Sequence, residues 1–214
     1  MEARLMRPAV ATALLTLLPS AALAQRVELT PLAGYRFGGS LTLVDTVDGV
    51  DQYRELEVAD HAAWGAQIAV RVSSDSEAEV LYARQDTRLQ TSGLFTGQPV
   101  FGLALETWQF GGNYLFGEES QRVRPYLGVG LGLTRLLPKA EGLQDETRFS
   151  ASFAGGVKLW LARNLGLRFE ARGFLTVLES DRETFCTSPG TCHVDTHAAD
   201  IFQAELRGGV VLRF

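Results

Sequence analysis

The sequence predicts an all-β fold in which eight antiparallel strands close into an up-and-down barrel. Three observations predict it: stretches of alternating apolar and polar residues recur, long and short connections alternate between them, and the chain ends on one more such stretch. In that closing stretch, Asp200–Phe214, one phase holds only apolar or small residues: Phe202, Ala204, Leu206, Gly208, Val210, Leu212 and Phe214. Alternation with a period of two is typical of a β-strand with one apolar face and one polar face.

Seven further stretches alternate in the same way, and each is at least as long as the ~9–11 residues that a tilted strand needs to cross a membrane. In chain order they are Val27–Gly38, His61–Val72, Glu77–Leu89, Ala104–Phe116, Arg122–Leu137, Arg148–Leu161 and Leu165–Leu178. Their apolar phases contain, in the same order, Leu29, Ile68, Val80, Phe110, Leu131, Phe153 and Phe169. The opposite phases carry polar residues and glycines, so each stretch predicts a strand with two unlike faces.

The connections between the predicted strands alternate in length. Short turns are predicted at Ser73–Ser76, Gly117–Gln121 and Ala162–Asn164, which are rich in turn-forming residues. Long loops are predicted at Gly39–Asp60, Gln90–Leu103, Pro138–Thr147 and Glu179–Ala199. Long extracellular loops, short periplasmic turns, an even number of strands and two periplasmic chain ends are typical of a bacterial outer-membrane β-barrel.

The first 24 residues have the features of a secretory signal peptide. Arg4 and Arg7 precede the apolar run Ala9–Leu18, and Ala22-Leu23-Ala24 matches an A-x-A cleavage site. We therefore expect cleavage between Ala24 and Gln25, with residues 25–214 forming a single barrel domain. No stretch approaches the ~20 apolar residues of a transmembrane helix.

Charge and cysteine content narrow the function classes. The formal net charge of the chain is −5, and an acidic chain with scattered basic residues is a poor candidate for nucleic-acid binding. The two cysteines, Cys186 and Cys192, follow a secretion signal, which favours a small loop disulfide over free thiols.

The two phases differ in side-chain size, and this difference predicts which one faces the lumen. The apolar phase contains bulky aromatic residues such as Trp64, Trp108 and Phe110, whereas the polar phase mixes charged residues with glycines. Because large polar groups opposite glycines fit the narrow interior of eight strands, we expect the apolar phase to face lipid. The alternative is a soluble barrel of the lipocalin kind, with the apolar phase inside.

The inward phase then brings charges of both signs into the lumen, where buried charges must pair. The predicted lumen charge network comprises Glu28, Arg36, Arg71, Glu79, Lys158, Arg168, Glu170, Arg172, Glu205 and Arg207. A gated polar path is the alternative interpretation. Eight strands leave no open aqueous channel, so a general porin is not expected.

The signal peptide, the eight strands, the loop asymmetry and the ending LRGGVVLRF together make the mature chain similar to a known family. It resembles the small outer-membrane β-barrel superfamily that includes the OmpA transmembrane domain, OmpX and OmpW. The resemblance implies that Phe214, Leu212 and Val210 form a signal for the barrel assembly machinery, although Leu212 stands where an aromatic residue is often found. It also implies outer-membrane lipid and lipopolysaccharide as partners.

Three shorter features suggest chemistry. His193, Asp195 and His197 would share one face of an extended segment and could hold a metal ion, but a solvated loop just past the two cysteines is the simpler explanation. Pro31 removes a ladder hydrogen bond within a strand, which predicts a bulge or a slightly bent strand, or alternatively a lateral gap for a lipophilic ligand. The acidic residues of Gly39–Asp60 suit Ca²⁺ or Mg²⁺ shared with lipopolysaccharide phosphates, or solvation alone.

The sequence therefore predicts a non-enzymatic integral outer-membrane barrel, structural or surface-binding, whose activity lies in the extracellular loops. The alternative is a narrow OmpW-like pore or transporter for small or hydrophobic solutes. A lipid A-modifying enzyme is a weaker third hypothesis, because no histidine stands two residues from a serine on a strand. No catalytic residue, metal site or cofactor is predicted.

Overall fold

The computed structural model describes residues 26–47, 50–91, 99–139, 144–177 and 200–214. These residues form ten β-strands, of which eight close into a barrel. The barrel strands are β1 (Val27–Phe37), β4 (His61–Arg71), β5 (Ser76–Thr91), β6 (Pro99–Leu115), β7 (Val123–Pro138), β8 (Glu146–Trp160), β9 (Leu165–Thr176) and β10 (Ile201–Arg213).

Every neighbouring pair of barrel strands is antiparallel. Around the barrel the order is β1, β4, β5, β6, β7, β8, β9 and β10, and the pairing of β10 with β1 closes the ring. At this closure Arg36 lies opposite Glu205, and Leu29 lies opposite Leu212. The prediction of a closed, eight-stranded antiparallel barrel is confirmed.

The two ends of the barrel differ in their connections. The turn end carries the short turns at 72–75, 116–122 and 161–164, together with Arg26 and the last residue, Phe214. We call the opposite end, where β1 leaves the barrel and β10 enters it, the loop end. Phe214 is held at the turn end because its N–H donates to the carbonyl oxygen of Val27 at 2.9 Å.

The segment between β1 and β4 contains a β-hairpin where the sequence predicts a loop. Strands β2 (Ser40–Val47) and β3 (Val50–Val58) pair with each other, and Leu56–Val58 of β3 pair with Leu89–Thr91 of β5. The acidic residues of this segment hide the alternation, which is why the prediction of a loop is wrong here.

The hairpin of β5 and β6 also extends further than the sequence predicts. The predicted loop Gln90–Leu103 overlaps the ends of both strands, since β5 continues to Thr91 and β6 begins at Pro99. The pairing stays regular as far as Leu89, where the register shifts. These extensions and the β2–β3 hairpin make the loop end a continuation of the sheet.

The side-chain phases face as predicted over most of the barrel. Outward residues are exposed on the barrel surface, including Trp108 at 56% and Phe110 at 67%, whereas the inward Arg168 is 1% exposed. Outward aromatic residues form a girdle near the loop end, where Tyr82 contacts Trp64 and Trp108 with ring centroids 5.8 and 4.5 Å apart. The lipocalin-like alternative is therefore wrong for this part of the barrel.

Pro31 does not introduce a bulge. On one side of β1 it pairs with Ala66 of β4. On the other side, the pairing of β1 with β10 goes from Leu29–Leu212 to Leu32–Gly209, three residues along each strand, so the register is unchanged. The proline costs one ladder hydrogen bond while the strands stay aligned.

Candidate functional site

The middle of the lumen is filled by an ionic group that we call the central cluster: Glu79, Arg168, Glu170, Arg172 and Arg207. Strand β9 presents three of these side chains in succession, because alternate residues of a strand share a face. Glu170 Oε1 accepts hydrogen bonds from Arg172 Nε at 2.7 Å and Arg207 Nε at 2.8 Å. Its Oε2 accepts from Arg168 Nε at 3.0 Å. One carboxylate thus binds three guanidinium groups.

Glu79 connects the central cluster to the opposite wall. Its Oε1 accepts a hydrogen bond from Arg172 Nη2 at 2.6 Å, and its Oε2 accepts from Asn113 Nδ2 at 2.6 Å and from Gln67. Glu79 lies on β5, across the lumen from β9. Since buried charges are stable only when paired and hydrogen-bonded, this cross-lumen bonding is what allows so many charges to be enclosed.

A second ion pair lies above the central cluster, toward the loop end. Arg36 Nε donates to Glu205 Oε2 at 2.7 Å, and the Arg36 guanidinium lies 4.1 Å from the ring centroid of Phe174. Gln203 and Gln85 join this level, with Gln203 Nε2 donating to Gln85 Oε1 at 3.2 Å. The lumen therefore becomes less charged in this direction.

The turn end of the lumen holds another ionic group, the turn-end cluster: Glu28, Arg71, Glu77, Arg124, Lys158 and Arg213. Lys158 Nζ lies 2.6 Å from Glu28 Oε2 and 2.5 Å from Glu77 Oε2. Arg213 donates to Glu28 at 2.9 Å, and its guanidinium lies 3.4 Å from the ring centroid of Trp160. These contacts seal the turn end.

The loop end of the lumen is apolar. Six buried side chains pack there, and we call them the apolar cap: Val58, Leu89, Leu103, Leu105, Leu136 and Ile201. They come from β3, β5, β6, β7 and β10, so the β2–β3 hairpin contributes to closing this end. Burying aliphatic side chains together stabilises such a cap through the hydrophobic effect.

The outward face of the barrel also changes polarity toward the loop end, where the apolar cap fills the lumen. Beyond the aromatic girdle, Arg84 Nη1 lies 2.5 Å from Glu106 Oε1, and Asp86 lies 2.9 Å from Lys139 Nζ. On the same face of β5, nearer the turn end, stands the apolar Val80. The outward face of the strands is therefore apolar and suited to lipid below the girdle, and charged and suited to water above it.

The ten residues of the predicted charge network fall into several groups. Five form the central cluster, Arg36 and Glu205 form the pair above it, and Glu28, Arg71 and Lys158 belong to the turn-end cluster. The predicted network did not include Glu77, Arg124, Tyr126 and Arg213. All four stand on the inward phase, which is the signal that could have identified them, and Tyr126 Oη donates to Glu170 Oε2 at 2.6 Å.

Other predicted features lie elsewhere. Val210, Leu212 and Phe214 face outward on β10 and at its end. His61 is exposed at the rim of the barrel, where β4 begins. The cleavage site Ala24/Gln25, the cysteines Cys186 and Cys192, and the run from His193 to His197 lie outside the described residues.

The structure gives no indication of a metal centre or a helical membrane anchor in the part of the chain that it describes. No cluster of three or more His, Cys, Asp or Glu side chains suited to a metal ion occurs among these residues. Within the same ranges, no helix has the length and apolar character needed to span a membrane.

Solved structures show the same fold. The chain is similar to neisserial surface protein A (18% identity, TM-score 0.56), with 89% of this chain and 97% of that one covered. It is also similar to OprG from Pseudomonas aeruginosa (12% identity, TM-score 0.61), with 89% and 95% covered. The outer-membrane protein AlkL, solved in lipid bilayers, has 17% identity and a TM-score of 0.55, with 89% and 90% covered. At these identities the likeness concerns the fold alone.

No curated protein sequence matches the chain. The family model of the outer membrane protein beta-barrel domain, however, matches residues 10–214, almost the whole chain. Together with the closed barrel and its apolar outward face below the girdle, this match places the protein in the outer membrane of a Gram-negative bacterium. The chain belongs to the outer membrane protein β-barrel domain family.

Proposed function

We propose that this protein is a non-enzymatic outer-membrane barrel that does not conduct solutes and that acts through the surface at its loop end. The observation that carries the proposal is the central cluster. Its side chains are almost completely buried, and they bond across the lumen from β5 to β9 and β10. A barrel of eight strands is narrow, and side chains that bridge its width occlude it.

The loop end is proposed to face the outside of the cell, with both chain ends in the periplasm. Arg26 and Phe214 both lie at the turn end, and the three short turns lie there too. The opposite end carries the β2–β3 hairpin and the extended β5–β6 pair. Short periplasmic turns and long outer connections are the usual arrangement in this class of barrel.

Lipopolysaccharide is the proposed partner of the outer surface just beyond the aromatic girdle. Arg84, Lys139 and Arg135 point outward there, and each is paired with a carboxylate, the last with Asp145 at 2.6 Å. Aromatic girdles mark the membrane interface in outer-membrane barrels. Charged side chains at this height meet lipid headgroups, where Arg and Lys bind phosphate oxygens by charge-assisted hydrogen bonds.

Planar-bilayer recording tests the closed lumen. The purified barrel is expected to show no steady single-channel conductance, because the central cluster blocks the path. The double variant Glu170→Ala/Arg172→Ala removes bridging side chains and is expected to conduct, whereas the outward Arg135→Ala serves as the control and stays silent. A steady conductance of the unmodified protein that the double variant alters would contradict the proposal.

A narrow route for hydrophobic solutes is the second candidate, and the apolar cap favours it. Leu103, Leu105 and Leu136 line the loop end of the lumen with aliphatic surface. The charged central cluster below them opposes passage of an apolar solute through the barrel. Uptake of a long-chain alkane into vesicles that carry the barrel, abolished by Leu105→Asp, would establish this route in place of the closed barrel.

The lipid A-modifying hypothesis is tested separately. A nucleophile needs a base within hydrogen-bonding reach, and the described histidine, His61, stands exposed at the rim with alanines two residues away on either side. Lipid A mass spectra are expected to be identical with and without the protein. A new or missing acyl chain would establish an enzymatic role.

The proposal also includes cleavage of the signal peptide, formation of the loop disulfide and assembly of the barrel into the membrane. We expect the mature chain to begin at Gln25, which N-terminal sequencing of the membrane-bound protein would show. Cys186 and Cys192 are expected to pair, as a mobility difference between reducing and non-reducing gels would report. Deletion of Phe214 is expected to lower the amount of heat-modifiable, folded barrel in the membrane, because the assembly machinery would lose its terminal signal.

A further inference from the structure

The turn-end cluster contains more positive than negative charge. Its cations are Arg71, Arg124, Lys158 and Arg213, and its carboxylates are Glu28 and Glu77. Four minus two leaves an excess of two positive charges within the cluster, and the partly exposed Asp75 in the adjoining turn offsets part of it. At the rim, Glu119 contacts Arg71 but also Arg26, so this additional carboxylate is shared with an additional cation.

Arg124 is the least compensated of these cations. Its side chain is 1% exposed, and its Nη2 donates to two backbone carbonyl oxygens, those of Ser74 at 3.0 Å and Gly117 at 3.1 Å. Its Nε and Nη1 are buried and make no hydrogen bond to any described residue. The charged groups near it are Arg71, Glu77, Arg213 and Asp75.

Arg71 is ion-paired, unlike Arg124, but it too has buried donors without hydrogen bonds in the described part of the chain. It lies 3.3 Å from Glu77, but its Nε and Nη1 are also buried and make no hydrogen bond within the described residues. Its Nη1 lies 3.1 Å from Glu119 Oε1 without hydrogen-bonding geometry. Two guanidinium groups at the same end of the lumen therefore have unused buried donors.

A buried donor without a partner costs roughly 1–3 kcal/mol, and more when the group is charged. A buried uncompensated charge is costlier still. One small anion would accept hydrogen bonds from both guanidinium groups and offset excess positive charge. A neutral water molecule would satisfy these donors without offsetting charge.

We propose that the turn-end cluster is a binding site for one small monovalent anion, such as chloride, held by Arg71 and Arg124. The site is separate from the central cluster and from the surface at the loop end. Its occupant stabilises the sealed turn end of the barrel.

Bromide, which replaces chloride and scatters X-rays anomalously, tests the occupant directly. Crystals of the mature barrel soaked in sodium bromide are expected to show an anomalous peak in contact with the Arg71 and Arg124 side chains. Bromide at exposed arginines alone, with water or no density between these two side chains, would overturn the proposal.

Urea unfolding in detergent micelles tests the energetic consequence without crystals. At constant ionic strength, replacing gluconate by chloride is expected to raise the midpoint, with a roughly 100-fold gain in the ratio of folded to unfolded protein when chloride is 100 times its Kd. Arg124→Gln is expected to lose this response. Arg122→Gln is the matched control, since Arg122 is an exposed arginine two residues away and keeps the response.

The gluconate arm separates an anion site from a purely structural arginine. If Arg124 serves only to bind the turn carbonyls of Ser74 and Gly117, Arg124→Gln destabilises the barrel equally in both salts. If it also holds an anion, Arg124→Gln costs more stability relative to the unmodified protein in chloride than in gluconate, because only chloride fills the site. An equal chloride response in the variant and the unmodified protein would overturn the proposal.

Discussion

Below the aromatic girdle the barrel has charges inside and apolar side chains outside, whereas above it the arrangement is reversed. Strand β5 shows both states on the same two faces. Inward, it carries Glu79 in the central cluster and Leu89 in the apolar cap; outward, it carries Val80 below the girdle and Arg84 above it. A single strand thus passes from a part of the barrel surrounded by lipid to a part surrounded by water.

The reversal follows from what lies outside the barrel. Where lipid surrounds the strands, apolar side chains are favourable outside and charged ones are not, so the charges turn inward and pair. Where water surrounds the strands, burying aliphatic side chains is again the main favourable term. The girdle separates these regions. Below it, the apolar outward band of β6 runs from Trp108 in the girdle to Phe116 at the turn end, which is roughly 27 Å of chain at ~3.4 Å per residue. At a tilt of ~40° this gives about 21 Å, close to the ~25 Å apolar band of such barrels.

The two interiors also differ in what they specify. A buried ion pair adds little net stability over a well-packed apolar core, but breaking one is costly. Because a slip of one residue turns every side chain of a strand to the opposite face, a slip of β9 would place Arg168, Glu170 and Arg172 in lipid. We therefore expect the central cluster to specify register and the apolar cap to contribute hydrophobic stability.

Removing the shared carboxylate of the central cluster is expected to have the largest effect. Glu170→Gln preserves shape but leaves three guanidinium groups with too few negative partners, so the free energy of unfolding is expected to fall by roughly 3–5 kcal/mol. Urea unfolding in lipid vesicles measures the change.

The control for this variant is Asp145→Asn, which breaks the exposed pair with Arg135 and is expected to cost about 0–1 kcal/mol. Equal losses for the two variants would show that the central cluster is no more tightly coupled than a surface ion pair, and the contrast between buried and exposed charges would fail.

A cavity in the apolar cap is expected to have the next largest effect. Leu136 is completely buried, so Leu136→Ala is expected to lower the free energy of unfolding by roughly 2–5 kcal/mol. Leu133 lies on the outward face of the same strand and is 52% exposed, and Leu133→Ala leaves a gap that lipid refills. The same unfolding measurement should show a smaller loss for Leu133→Ala, and a larger loss there would contradict the assignment of the cap as a packed core.

A charge placed on the outward face tests the boundary between the two regions. Val80→Arg puts a cation against lipid one outward position below the girdle and is expected to cost roughly 1–3 kcal/mol, between the ~2–4 kcal/mol of the membrane midplane and the ~0–1 kcal/mol of the interface. Its counterpart, Arg88→Val, changes an exposed residue on the same face of β5 beyond the girdle and is expected to have little effect. Reversed results for this pair would place the membrane boundary at a different height on the barrel.

Much of the fold was predictable because alternation is a local property. The eight barrel strands, their order and the inward position of residues such as Arg168 follow from periodicity and from the size difference between Trp108 and the glycines. The β2–β3 hairpin was missed because acidic residues interrupt its alternation. The apolar cap was missed because the prediction assigned one polarity to each face along the whole chain, and the change of solvent above the girdle is not a property of sequence spacing.

The pairing within the lumen was only partly predictable. Periodicity places Glu170 and Arg207 on inward faces, but which carboxylate meets which guanidinium depends on strand register and on the stagger around the barrel. Lys158 illustrates this, because it reaches Glu28 on β1 and Glu77 on β5, both distant in sequence. Contacts across the lumen require the closed ring, which the spacing of residues along one strand does not reveal.

The smallest expected effect concerns a carboxylate outside the lumen, which contrasts with the buried ones. Asp75 lies in the turn between β4 and β5, and a hydrogen bond of 2.7 Å from the Ser73 hydroxyl lowers the pKa of Asp75 below its ordinary value of 3.8. A lowered pKa in the folded state stabilises the protein above the unfolded pKa, and this contribution is lost as the pH falls through the folded pKa. Ser73→Ala is therefore expected to raise the pKa of Asp75 and to lower stability slightly at neutral pH, with no difference in strong acid.

An NMR titration of the Asp75 side chain in micelles measures this shift. Ser120→Ala is the control, since its hydroxyl donates to Glu118 at 3.3 Å in a different turn and should leave the pKa of Asp75 unchanged. If Ser73→Ala destabilised the barrel as much as Glu170→Gln, the turn end would depend on its exposed turn as strongly as the lumen depends on its buried charges. Water competes for exposed hydrogen bonds and screens exposed charges, so the turn is expected to matter far less.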